Sequence, residues 1–257
     1  MNKQAELISI GNELLCGRTV NTHAQTLGKA LFEIGFQLIR DTTIPDELPI
    51  IGKVTHEAID RAPFVFITGG LGPTSDDITR DALSVALNQK IVLHSPTVQI
   101  IEQRMLNRGR KINEAAKRQA LILENATVLP NSVGAAPGQM IQLPNQTTLF
   151  ILPGPPNEFD AILAEEIIPK LKARFPDSHP DLIRIIKTGG VGEAEIVALL
   201  EKEKFQPLDI SLGFYPANGQ VEIRLTASFQ CLEQIQTAET QIKHYLASFI
   251  SPKENTK

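Results

Sequence analysis

Hydrophobic positions in the first third of the chain come in short runs, each ended by glycine or proline and followed by a stretch of helical period. Ala5 to Ile10 is one such run, closed by Gly11-Asn12. Thr22-His23-Ala24-Gln25 then offers a capping box for a helix to Ile34, which Gly35 stops. Phe36 to Ile44 is β-branched and alternating, Pro45 breaks it, and Asp46 is placed to cap a helix through Ile50, Ile51, Val54, Ala58 and Ile59. Phe64-Val65-Phe66-Ile67 is the next run; it meets a cluster of Gly69, Gly70, Gly72, Pro73, Thr74 and Ser75, then Asp76 and Asp77, before a helical pattern resumes. Apolar runs without alternation suit strands covered on both faces. Three strand-helix units in succession predict an α/β fold, a three-layer and mostly parallel sheet whose ligands sit beyond the carboxyl ends of its strands.

Further along, Ser95-Pro96 starts a helix with Ser95 as its cap, ending near Asn107 to Gly109, where the basic run RGRK reads as a solvated loop. A short helix through Ala115 to Ala120 follows. Gly134 to Gly138, with Pro137, is either a plain connection between strands or a place where backbone approaches a ligand. Thr147 to Leu152 is a strand that stops at Pro153-Gly154-Pro155-Pro156, with the last two prolines fit to open a helix and Glu158 in its first turn. The turns after Ile67 and Leu152 lie side by side if their strands are neighbours. Past a polar linker at Pro176 to Pro180 the pattern becomes βαββα: Ile183 to Thr188, Glu193 to Glu203, Ile210 to Tyr215, Val221 to Leu225 and Leu232 to Phe249. Two domains are expected, 1–175 and a small α+β domain at 181–251.

Composition narrows the function classes. Across 257 residues, 42% hydrophobic and 21% charged content is that of a globular protein, and the formal net charge of -4 gives no pull toward nucleic acid or an anionic membrane. No run approaches the roughly 20 apolar residues that span a bilayer. Cys16 and Cys231 are too few for a disulfide framework and fit a cytoplasmic location, and Cys16 is expected to be a buried structural thiol. With no Trp and two Tyr, stacking platforms for single strands are poorly supplied. Gly189-Gly190-Val191-Gly192 matches the GxxG of RNA-binding KH modules but holds no basic residue. The expectation is a small-molecule partner, no nucleic acid and no membrane.

The glycine cluster after Ile67 is neither a P-loop, which needs a lysine, nor GxGxxG. It reads as a tight turn or as a loop whose amides receive an anion. Asp76 and Asp77 favour the second reading together with a cation, because carboxylates beside a phosphate nest repel the ligand unless a metal sits between them. Asp76 or Asp77 as a simple helix cap is the competing reading. Asp46 and Asp77 both follow strand ends, so a parallel sheet turns them toward one crevice. The histidines, His23 among them, read as surface or packing residues.

Five motifs carry a resemblance: IGNELL at Ile10 to Leu15, VNTHAQ at Val20 to Gln25, TGGLGPTSDDIT at Thr68 to Thr79, VGAAPG at Val133 to Gly138 and LPGPPNEF at Leu152 to Phe159. In this order, and over essentially the whole chain, they resemble the N-terminal part of the CinA family, with departures at Asn12, His23, Ala116 and Phe159. The resemblance implies a molybdopterin-binding-like domain joined to a KH-like domain, and metal-dependent hydrolysis of ADP-ribose to AMP and ribose 5-phosphate. It also implies a divalent cation (Mg, Mn or Co), with a monovalent cation such as K as a further candidate, and a homodimer. Nothing in the chain corresponds to the family's nicotinamide-mononucleotide deamidase domain, so that activity is not expected. Carried over by position, Asp77 and Asp46 are the catalytic pair. The metal would be held by Asp77, Asp46, Asp76 and Glu13, and the substrate by Gly69, Gly70, Gly72, Thr74, Ser75, Asn21, Gly138, Pro153 and Gly154. Two rivals remain: a nucleotide- or pterin-binding protein without catalysis, and an enzyme like the molybdopterin adenylyltransferases.

Overall fold

In chain order the elements are β1 (Gln4–Ile10), α1 (Asn12–Leu15), α2 (His23–Phe32), β2 (Gln37–Ile44), α3 (Leu48–Arg61), β3 (Phe64–Thr68), α4 (Thr79–Ala86), β4 (Ile91–Leu93), α5 (Ser95–Leu106), α6 (Glu114–Arg118), β5 (Leu121–Leu123), β6 (Thr127–Leu129), β7 (Gly138–Gln142), β8 (Thr148–Leu152), α7 (Pro156–Ile162) and α8 (Ile168–Arg174). A second group follows, β9 (Leu182–Gly189), α9 (Glu193–Lys202), β10 (Ile210–Ala217), β11 (Gln220–Ala227) and α10 (Leu232–Tyr245). This computed structural model describes residues 3–107 and 109–250; Arg108 of the basic run and the polar tail at 251–257 lie outside them.

The main sheet has the order β2-β1-β3-β8-β7-β6; β2, β1, β3 and β8 pair in parallel, β7 pairs antiparallel with β8, and β6 antiparallel with β7. The unbroken runs have the expected cause. Every residue of β3 and β8 is buried, because alternate side chains enter two different cores. Leu7, Phe64, Phe66 and Phe150 pack with Leu27 and Leu31 of α2 and Phe159 of α7 on one face. Ile8, Val65, Ile67 and Ile151 pack with Ile51 and Ala58 of α3 and Leu83 of α4 on the other. Because β3 pairs with β8 in parallel, Thr68 beside Leu152, the turns that follow them are neighbours. A Cβ on Gly154 would stand 3.3 Å from the Gly69 Cα.

Several local expectations change. Thr22 makes no side-chain capping bond to α2; the Asn21 Oδ1 accepts the His23 N–H instead, at 3.1 Å. Asp46 does not cap α3, whose preceding residue is Glu47; its Oδ2 accepts the Asn12 N–H at 2.9 Å and so ties α1 to the end of β2. Ser95 lies inside α5, with His94 before it. Cys16 is exposed, since α1 is a single turn with no buried residue.

The chain divides into units 1–178 and 179–257. In the second, the antiparallel sheet β10-β11-β9 packs Ile186, Val221, Ile223 and Leu225 against Ile196 of α9 and Ile235 and Ile242 of α10. The alternation Val221, Ile223, Leu225 lies on the central strand, and among the described residues β9 and β10 are the edge strands.

Candidate functional site

A cavity of about 430 Å³ opens at the carboxyl ends of β1, β3 and β8. Its walls include Gly69, Gly70, Leu71 and Gly72 after β3, Pro153 to Pro156 after β8, and Glu13, His23, Asp46, Asp76, Asp77 and Glu158. Parallel strands ending together, each followed by a loop, form this crevice.

The loop after β3 has its amides aimed by Thr79. That side chain is fully buried; its hydroxyl donates to the Gly69 carbonyl at 2.8 Å and its N–H to the Gly70 carbonyl at 3.3 Å. A peptide plane sets N–H opposite C=O, so holding these two carbonyls directs the N–H groups of Gly70 and Leu71 the other way. Neither amide has a hydrogen-bond partner among the described residues, and both residues line the cavity. Gly69 and Gly70 have φ of 104° and 64°, and a Cβ there would overlap the Ile10 carbonyl oxygen or the Thr79 hydroxyl. Only glycine fits.

Beneath the loop lies Arg80, 3% exposed, donating to the carbonyls of Leu71 at 2.9 Å and Gly72 at 3.1 Å. Burial pushes its guanidinium down to about 10, against the opposing pull of Asp77 and Asp81 and helped by the like charge of Arg118. It remains a cation at neutral pH, placed under a loop with outward amides.

Asp77 braces the same loop. Its Oδ1 accepts from the Gly72 N–H at 2.7 Å, and its Oδ2 from the Thr74 N–H at 2.8 Å and the Thr74 hydroxyl at 2.5 Å. α4 begins at Thr79 with Ile78 ahead of it, so neither Asp76 nor Asp77 caps it. The Thr74 hydroxyl, bonded to Asp77, also lies near enough to Asp76 to hold that exposed carboxyl below its ordinary 3.8. Across the cavity, Glu158 accepts from the Asn131 side chain at 2.6 Å. Asn131 in turn donates to the Ala136 carbonyl at 2.7 Å, and Arg104 donates to the carbonyls of Asn131, Ser132 and Gly134. These bonds shape the VGAAPG turn.

Of the residues expected from sequence, Glu13, Asp46, Gly69, Gly70, Gly72, Asp76, Asp77, Pro153 and Gly154 come together on the cavity wall. Four do not. Asn21 spends its amide on the Ser9 hydroxyl at 2.9 Å and on the start of α2. Thr74 is bonded to Asp77, and Ser75 is exposed. Gly138 begins β7, where a Cβ would press on Ile162, Leu152 and Leu129 at 3.0 to 3.2 Å, so it is a packing glycine. Thr79, Arg80 and Glu158 were missed as site residues although they stand inside or beside the quoted motifs. His23, read as packing or surface, lines the cavity. Among the described residues no group of three or more His, Cys, Asp and Glu side chains is placed to hold a metal ion, and no helix is long and apolar enough to cross a membrane.

A mostly parallel α/β sheet with a glycine loop and a cavity at its carboxyl edge, joined to a small βαββα unit, defines a class of two-part proteins. Residues 6–173 match the family model described as "Probable molybdopterin binding domain" and residues 183–250 that of the "Damage-inducible protein CinA KH domain", and the chain belongs to this CinA-like family. It is 37% identical over 238 residues to a CinA-like protein of Cytophaga hutchinsonii, covering 92% of this chain and 56% of the relative. It is 36% identical to one of Kosmotoga olearia, covering 96% and 60%. The chain thus spans little more than half the length of these curated relatives. Among solved structures, the protein CinA of unknown function from Thermoplasma acidophilum matches with a TM-score of 0.59 and 31% identity, over 67% of this chain and 97% of that one.

Proposed function

We propose that the cavity binds a nucleoside diphosphate sugar and hydrolyses its diphosphate, cleaving ADP-ribose to AMP and ribose 5-phosphate. One observation carries this reading. The free amides of Gly70 and Leu71, over the buried Arg80, share a single cavity with the carboxylates of Asp46 and Glu13. A site for a bare anion has no use for those carboxylates, whereas a diphosphate with a divalent cation uses both halves. Hard oxygen donors that do not converge as a protein-only cluster suit an ion of Mg type, held by one or two carboxylates and by substrate phosphates. Asp46 and Glu13 would hold it, with Asp76 on the loop side. Bound there, the cation supplies Lewis-acid stabilisation of developing charge and lowers the pKa of the attacking water.

The chain's own residues account for the rest. The Gly70 and Leu71 amides receive non-bridging oxygens, Arg80 offsets their charge, and Asp77 with Thr79 keeps the loop from rearranging as charge shifts. A water oxygen bonds to one phosphorus while the bridging P–O bond breaks, and the protons of that water pass to a cavity carboxylate and then to solvent.

The test is AMP release from ADP-ribose with and without Mg, Mn or Co. Asp46→Asn keeps an oxygen to accept the Asn12 N–H, so it should fold normally while losing roughly a hundredfold in turnover. Near wild-type hydrolysis by both Asp46→Asn and Glu13→Gln would remove the assignment. A second reading, a nucleotide- or pterin-binding protein without catalysis, draws on the fact that both Asp77 oxygens are already occupied by the loop. Tight AMP binding with no metal-dependent turnover would select it.

A further inference from the structure

Glu158 lies in the first turn of α7, half-buried, on the wall of the cavity. Its carboxylate has a built seat. One oxygen, Oε2, accepts from the side chain of Asn131, which is 9% exposed and has all its polar bonds used. The two N–H groups of that amide go to Glu158 and to the Ala136 carbonyl, and its Oδ1 accepts from the N–H groups of Val133 at 3.1 Å and Gly134 at 2.7 Å. This fixes which end of the amide meets the carboxylate, because a flipped amide would set its NH₂ group against two backbone donors. From behind, the carboxylate rests on Gly134, where a Cβ would overlap it. The other oxygen, Oε1, has no partner among the described residues and is not closed off from water. The guanidinium of Arg104, which shapes the same turn, donates to the carbonyls of Asn131, Ser132 and Gly134 rather than to Glu158. We infer that Glu158 is the catalytic base of the hydrolysis: its Oε1 takes a proton from the attacking water while Asn131 and Gly134 hold the carboxylate in place.

Given the diphosphate reading of the cavity, on which this role rests, one carboxylate is left for the proton. A base needs an oxygen free of both the cation and the loop. Asp77 has its oxygens occupied by Gly72 and Thr74, and Asp46, Glu13 and Asp76 are the carboxylates assigned to the cation. Glu158 is the remaining one on the wall. A neutral amide holds it, which orients the carboxylate without the positive charge that would weaken it as a proton acceptor. In the step itself the water oxygen bonds to one phosphorus and its proton passes to Oε1. The electron pair of the breaking P–O bond stays on the bridging oxygen, which leaves with the other phosphate, and Glu158 then returns the proton to solvent.

ADP-ribose hydrolysis, AMP affinity and the Mg concentration giving half-maximal rate are measured in wild type, Glu158→Gln, Gly134→Ala and the double variant. Glu158→Gln keeps an oxygen for Asn131 and should keep its melting temperature, while kcat falls by roughly a hundredfold or more with AMP affinity and Mg requirement unchanged. Gly134 is not among the positive-φ glycines, so its backbone accepts alanine, and the added methyl pushes the carboxylate off its seat. In the wild-type background Gly134→Ala should lower kcat roughly tenfold or more, and in the Glu158→Gln background no further. A carboxylate that only suits the start of a helix would cost a little thermal stability and leave kcat alone. Near wild-type kcat in Glu158→Gln, with wild type active, therefore overturns the inference and leaves the diphosphate reading standing. A fall in AMP affinity or a several-fold rise in the Mg requirement of that variant overturns it too, since Glu158 would then be a ligand of the substrate or the cation, as do independent losses from the two substitutions. If Glu158→Gln does not fold, Gly134→Ala decides, lowered kcat at unchanged AMP affinity supporting the base and any other result overturning it. If wild type hydrolyses no ADP-ribose with Mg, Mn or Co, the diphosphate reading falls and this inference with it.

Discussion

Thr79 is fully buried, and its hydroxyl and amide hold the two carbonyls whose peptide planes aim the amides of Gly70 and Leu71. Replacing it with Val keeps the shape and removes one donor, leaving the Gly69 carbonyl unsatisfied in a buried place. A loss of about 1–3 kcal/mol is expected, with a clear fall in kcat/KM for ADP-ribose, whereas Thr79→Ser should restore both; thermal melts and steady-state kinetics check this. Asp77 makes a contrasting case to Asp46. Its oxygens accept three hydrogen bonds, and an asparagine presents an NH₂ group where one of those oxygens stood. Asp77→Asn should therefore lower both the melting temperature and turnover. If it retains full thermal stability, the loop does not depend on this brace.

At the scale of elements, β1 shows how one polar residue fits inside an apolar run. Glu6 points to the α3 face of the sheet with 2% of its side chain exposed, and Arg61 at the end of α3 meets both of its oxygens at 2.8 Å. Breaking a buried pair from one side strands a charge, at a cost of about 3–5 kcal/mol for full burial. Arg61 is 34% exposed, so Arg61→Ala should cost about 3 kcal/mol or less. Urea unfolding checks this, and a change within a few tenths would mean that water already solvates the carboxylate. Much of this level was readable from the chain. The runs at Ala5 to Ile10, Phe64 to Thr68 and Thr147 to Leu152 became central strands, and the Pro155-Pro156 turn opens α7. Caps were read less well. Thr22, Asp46 and Ser95 all have the chemistry of a cap, yet Asp46 is drawn to the Asn12 amide and Asn21 takes the role given to Thr22, because an acceptor bonds whichever donor the fold brings nearest.

For the whole molecule, the three-stranded sheet of the second unit leaves the outer edges of β9 and β10 without a strand partner among the described residues. Ile185 on β9 and Tyr215 on β10 are 47% and 49% exposed. Unpaired edges bearing large side chains invite association, and a homodimer is the expected state. Sedimentation of the protein at micromolar concentration should give one species of twice the chain mass, and a single monomeric species would contradict it.

What the sequence determined by itself was the layering and the place of the site. Non-alternating apolar runs can be buried only between two layers of helices, and glycines and prolines at the ends of such runs put flexible backbone at the carboxyl edge of the sheet. What only the tertiary structure decided was which donor meets which acceptor. The same four residue types, Asp, Thr, Asn and His, serve as cavity wall, brace, cap or packing. Their roles depend on distances between segments far apart in the chain, such as Asn12 to Asp46, Asn131 to Glu158 and His23 to Phe159. Periodicity records which face a side chain occupies, and it holds no record of the partner that face will meet.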